Sequence, residues 1–162
     1  MQFVQNFPFF CILLTLICAV ITSVIGRRKA IYLTSALITA VTAMTVCVLV
    51  YVLRTGESYA YMMGHFPAPW GNEIRIGVMD ALMMTVFCFV TLFSFIGGLL
   101  PSIREIESTK YNIYCILVDL LLLALQALVY TNDLFTAYVF IEINTLAAAR
   151  SEEHTSELQS QM

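Results

Sequence analysis

The sequence predicts an all-α integral membrane protein with four complete spans and a fifth, incomplete one. Three observations carry this. Of 162 residues, 60% are hydrophobic and 12% charged, whereas soluble domains average about 45–50% apolar and about 25% charged residues. The mean hydropathy is +0.85. Apolar stretches of near-spanning length alternate with short charged or turn-forming segments. Eight Lys and Arg against eleven Asp and Glu leave no basic surface for phosphates, which excludes nucleic acid as a partner. The solvent to reason about is the lipid bilayer.

The first helix covers residues 9–25, opened by Pro8 and closed by Gly26. Proline suits a first helical turn because its missing N–H would be unpaired there anyway. Arg27-Arg28-Lys29 follow the apolar run rather than precede it. That order, with no small-residue cleavage site, predicts a retained helix rather than a signal peptide. Residues 31–53 are uncharged and long enough to span with some tilt; Arg54 closes them. Residues 55–75 read as a polar, turn-rich connection with Gly64, Pro67, Pro69, Trp70 and Gly71. The prolines there force extended backbone, and Trp70, Tyr59 and Tyr61 suit an interfacial position.

The third span covers 77–100, and Pro101 is expected to open a charged loop ending at Lys110. The fourth covers 111–130, interrupted only by Asp119 and Gln126. Thr131-Asn132-Asp133 has helix-capping chemistry in a tight connection, so helices four and five should form an antiparallel hairpin. The fifth segment, 134–149, makes only about 24 Å of helix against a hydrocarbon core of about 30 Å. Lys and Arg concentrate in the first and third connections, which predicts an N-terminus outside; the expected location is the plasma membrane.

Three acids fall at membrane depth: Asp80, Asp119 and Glu142. An ionisable group inside a span is costly, so it marks function or a partner. Glu142 lies nine residues past Asp133, about 13.5 Å into the membrane at 1.5 Å per residue. Tyr138 and Thr145 share its face. A carboxyl there reads either as a proton relay or as a neutral acid joining two helices. Asp119, with Gln126 two turns along the same face, is a weaker candidate for the same two roles. Asp80 suits a helix N-terminal charge, with a relay role as the alternative. Both lysines, Lys29 and Lys110, lie in expected connections. A counter-charge for Glu142 is therefore expected from another chain or from sequence beyond this one. The five cysteines stand singly in apolar stretches, and His65 stands alone in the long loop. No metal or cofactor motif appears, so no cofactor is expected, and no redox or hydrolytic centre.

Two stretches carry a family resemblance. Thr131-Asn132-Asp133-Leu134-Phe135-Thr136-Ala137-Tyr138-Val139-Phe140-Ile141-Glu142-Ile143 resembles the fifth-helix signature of antiporter-like proton-translocating subunits. These occur in complex I, in membrane-bound hydrogenases and as the D-type subunit of Mrp Na+/H+ antiporters. Gly64-His65-Phe66-Pro67-Ala68-Pro69-Trp70-Gly71, with Asp80-Ala81-Leu82 further on, is similar to a loop and third-helix opening of the same family. Ala81 and Met83 depart from the Gly and Ser of that opening. The resemblance implies that 1–149 is an N-terminal transmembrane region, part of the first five-helix repeat region of a larger bundle. It implies that Glu142 relays protons with a lysine on a later helix. It also implies other membrane subunits as partners and protons as cargo, with Na+ as the alternative ion. The competing reading is a small multi-span protein that acts in assembly or interaction without transport.

Residues 150–162 are expected to be a non-native tail. Arg150-Ser151-Glu152-Glu153-His154-Thr155-Ser156-Glu157-Leu158-Gln159-Ser160 resembles an in-frame translation of a sequencing adapter. Without the tail the net charge is −1 rather than −3.

Overall fold

A computed structural model describes residues 2–62, 73–105 and 110–160. A one-turn helix, α1 (Gln2–Gln5), leads into α2 (Phe7–Val24) and α3 (Arg27–Thr55). Strands β1 (Tyr59–Met62) and β2 (Glu73–Ile76) follow, then α4 (Val78–Glu105), α5 (Lys110–Tyr130) and α6 (Leu134–Ser160). Four of these helices, α2 to α5, contain windows long and apolar enough to cross a membrane. The chain is a multi-pass membrane protein.

The observed helices outrun the apolar runs that announced them. The connection between α2 and α3 is only Ile25-Gly26, and Arg27-Arg28-Lys29 form the first turn of α3 rather than a loop. Lys29 and Ala30 donate their backbone N–H groups to the Gly26 carbonyl. Lys110 likewise opens α5 rather than closing a loop. An apolar run measures membrane thickness, whereas a helix continues as long as its backbone ladder does. The same distinction extends α4 past Pro101 to Glu105. The proline forfeits one ladder bond, a loss that membrane helices tolerate.

The fifth helix departs furthest from expectation. It does not stop at 149 but runs to Ser160, and it is not among the four helices apolar enough to span. No Gly or Pro interrupts 134–160, and Ala147-Ala148-Ala149 are strong helix formers. Asp133 starts it: Oδ2 accepts from the Thr136 backbone N–H at 3.0 Å and from the Thr136 hydroxyl at 2.7 Å. This is an N-cap, which satisfies a helix-end donor that has no partner in the ladder. Because only three residues join α5 to α6, the two pack as neighbours in opposite directions.

The long connection is not wholly irregular. Gly56 ends α3 in the left-handed region (φ 68°), donating its N–H to the Val52 carbonyl at 2.8 Å. Beyond it, β1 and β2 pair antiparallel, with Tyr59 opposite Ile76 and Met62 opposite Glu73. The order Glu-Ile-Arg-Ile has the two-residue period of a half-buried strand. Ile74 and Ile76 point inward, and Arg75 points out. The hairpin also holds the α5–α6 turn: Asn132 donates its backbone N–H to the Glu73 carbonyl at 2.9 Å, and Ile74 bridges Thr131.

The core is apolar, yet large apolar side chains also cover the outside. Val20, Val24, Leu53, Val90 and Phe93 point outward, while the buried polar side chains among the described residues are six threonines, Asp119 and Gln126. Helices in lipid gain little from burying apolar area, so small residues and interhelical hydrogen bonds carry the contacts. Most of these threonines bond back to their own helix, as Thr42 does to the Ile38 carbonyl at 2.7 Å and Thr85 to Ala81 at 2.7 Å. Thr22 and Thr34 instead reach across to another helix.

Candidate functional site

The fold sends the three acids to three separate environments. Asp80 sits at the third helical position of α4. Its Oδ2 accepts from the Gly77 backbone N–H at 2.8 Å, while Ala81 donates its N–H to the Gly77 carbonyl. This is the acidic half of a capping box. The side chain is half-buried beside the hairpin.

Asp119 lies midway along α5 and is fully buried. Its Oδ2 accepts from Thr22 Oγ1 of α2 and Thr34 Oγ1 of α3, each at 3.2 Å. Its Oδ1 is buried without a hydrogen-bond partner. One heptad further along the α2–α5 seam, Gln126 Nε2 donates to Thr15 Oγ1 at 3.2 Å, and Thr15 donates to the Cys11 carbonyl at 2.7 Å. The threonines escaped the sequence reading. Their signal was present: Thr15 and Thr22 repeat at the same seven-residue interval as Asp119 and Gln126.

Glu142 takes a third position. It lies on the exposed face of α6, with Tyr138 60% exposed one turn before it and Leu146 65% exposed one turn after. The Tyr138 hydroxyl hydrogen-bonds to the Glu142 carboxyl. Thr145 donates to the Glu142 carbonyl at 2.9 Å. The opposite face of α6 packs on α5, where Ala147 is buried. Glu142 therefore points away from the rest of the chain. Asp80, Asp119 and Glu142 share no hydrogen-bond partner.

Gly64 to Gly71, with His65 and Trp70, lies outside the described residues. Among the described residues, no group of three or more His, Cys, Asp and Glu is placed to hold a metal ion. The cysteines are free thiols, four buried and Cys47 exposed.

This helical arrangement recurs in solved membrane complexes. It superposes on a chain of the membrane-bound sulfane sulfur reductase, an archaeal respiratory membrane complex, with a TM-score of 0.73 and 20% identity. The match covers 91% of this chain and 29% of that one. It superposes on a chain of the Mrp complex from Dietzia sp. DQ12-45-1b with a TM-score of 0.74 and 22% identity, covering 91% and 27% respectively. No family model matches the sequence. NADH-quinone oxidoreductase subunit N of Desulforudis audaxviator (strain MP104C) is 32% identical over 111 residues, 67% of this chain. These likenesses support the antiporter-like subunit family. These relatives are subunits of multisubunit membrane complexes. The chain spans only 22% of the length of the curated relative it matches.

Proposed function

We propose that the chain is part of a proton-translocating subunit of a complex I-like, hydrogenase-like or Mrp-type membrane complex, and that Glu142 is its proton-relaying group. The observation that carries this reading is the direction of Glu142. It stands about 13.5 Å along α6, on the face that α5 does not cover. A carboxyl at that depth is costly to ionise alone. A basic group on a neighbouring membrane element would stabilise the charged form, and its removal would favour the neutral one. Tyr138, bonded to the carboxyl, gives the proton a hydroxyl on the same face. The subunit would sit in the plasma membrane with its N-terminus outside, beside other membrane subunits, with protons as cargo and Na+ as the alternative ion. Asp80 and Asp119 take no step in this reading.

The test is proton transport by the full-length subunit in its complex, reconstituted in vesicles. Glu142→Gln should abolish transport while the complex still assembles. Unchanged transport would overturn the proposal.

A further inference from the structure

Asp119 is turned the opposite way from Glu142: into the chain, not out of it. Among the described residues it is the one acidic side chain that is fully buried. Two hydroxyls from two different helices converge on Oδ2, and Oδ1 has no partner. The titratable groups beside it are the thiols of Cys18 on α2 and Cys115 on α5, close enough to interact with it electrostatically. No cation faces it. Arg28 and Lys29 of α3 and Arg75 of β2 are exposed. Cys88 of α4 interacts with Cys11 and Thr45 instead, and Glu142 of α6 is exposed.

We infer that Asp119 is a proton-binding site closed within α2, α3 and α5, and that it holds its proton without any partner outside this chain. A carboxylate there would be a buried charge with two neutral donors and no counter-ion, the arrangement that desolvation penalises most. Adding a proton to Oδ1 removes the charge and keeps both threonine bonds on Oδ2. The nearby sulfurs are weak acceptors for that proton. The hydroxyls of Thr22 and Thr34 can donate and accept, so they are the groups through which a proton would enter or leave. Gln126 and Thr15 continue the polar seam toward the hairpin. Occupancy of the site by a proton does not rest on the function proposed above, in which Asp119 takes no step.

Infrared spectroscopy of the membrane-embedded chain at neutral pH tests this. In the Glu142→Gln background, which removes the other carboxyl placed at membrane depth, a protonated-carboxyl C=O band should be present and should vanish when Asp119→Asn is added. No such band, or one that survives Asp119→Asn in that background, overturns the inference. Should Asp119→Asn not insert, the pair Thr22→Val and Thr34→Val decides. Losing both bonds to the carbonyl oxygen should move the band to higher frequency, and an unmoved band overturns the assignment. The two readings fail separately. Transport lost in Glu142→Gln without an Asp119 band defeats this inference alone, whereas an Asp119 band with normal transport in Glu142→Gln defeats the proposed relay alone.

Discussion

The Thr22 hydroxyl lies 3.2 Å from Asp119 Oδ2, joining α2 to α5 across 97 positions of sequence. Seven residues away on each helix, in opposite directions, Gln126 meets Thr15 at the same distance. Two polar contacts at one heptad interval fix the antiparallel register of this pair. A slip by one residue would part both contacts at once. Thr34 adds α3 to the same point.

Removing these donors should weaken the bundle modestly. Interhelical hydrogen bonds in a membrane average about 0.6 kcal/mol. Thr22→Val and Thr34→Val should each cost about that much, measured by reversible unfolding in mixed micelles. The double substitution should not be the sum, because both hydroxyls share one acceptor oxygen.

The α4 cap depends on an acceptor rather than on a charge. Asp80→Ala should destabilise by about 1 kcal/mol, since the Gly77 N–H loses its partner. Asp80→Asn keeps an acceptor oxygen and should recover most of the loss. Thermal unfolding of the two variants side by side checks this.

Tyr59 of β1 has a buried hydroxyl with no hydrogen-bond partner. Burial pushes its phenol above the ordinary tyrosine range, with the neighbouring Tyr51 adding to the shift. The folded chain therefore favours neutral Tyr59, and this contribution falls away as pH rises through the ordinary tyrosine value. Ultraviolet titration should show no phenolate from Tyr59 until the hairpin opens. Tyr59→Phe should be neutral or slightly stabilising, because it removes an unsatisfied polar group.

The hairpin grips the α5–α6 turn through the Ile74–Thr131 bridge and one main-chain bond from Asn132 to Glu73. Ile74 is 2% exposed, and Ile74→Ala should cost about 3 kcal/mol. Glu73→Ala should cost far less, because the Glu73 carbonyl, not its carboxyl, accepts from Asn132. Hydrogen exchange at the Asn132 amide separates the two variants: it should speed up in Ile74→Ala and stay slow in Glu73→Ala.

The sequence alone determined the class, four approximate spans and the α5–α6 turn. Each follows from local chemistry: runs of apolar residues, and Asp133 placed three residues before Thr136. It started α3 too late, past Lys29, and ended α4 and α6 too early, at Pro101 and Ala149, because hydropathy reports the membrane and not the backbone ladder. It passed over β2, whose alternation is only four residues long. Only the tertiary structure decided which way each acid faces. Asp119 and Glu142 both sit deep in apolar helices, and nothing in their immediate neighbours distinguishes an inward side chain from an outward one. The difference arises because α2 and α3 close over α5 at Asp119, whereas among the described residues α6 packs on α5 with its opposite face exposed. Packing between helices distant in sequence set that difference, and with it which acid is enclosed and which is presented to a neighbour.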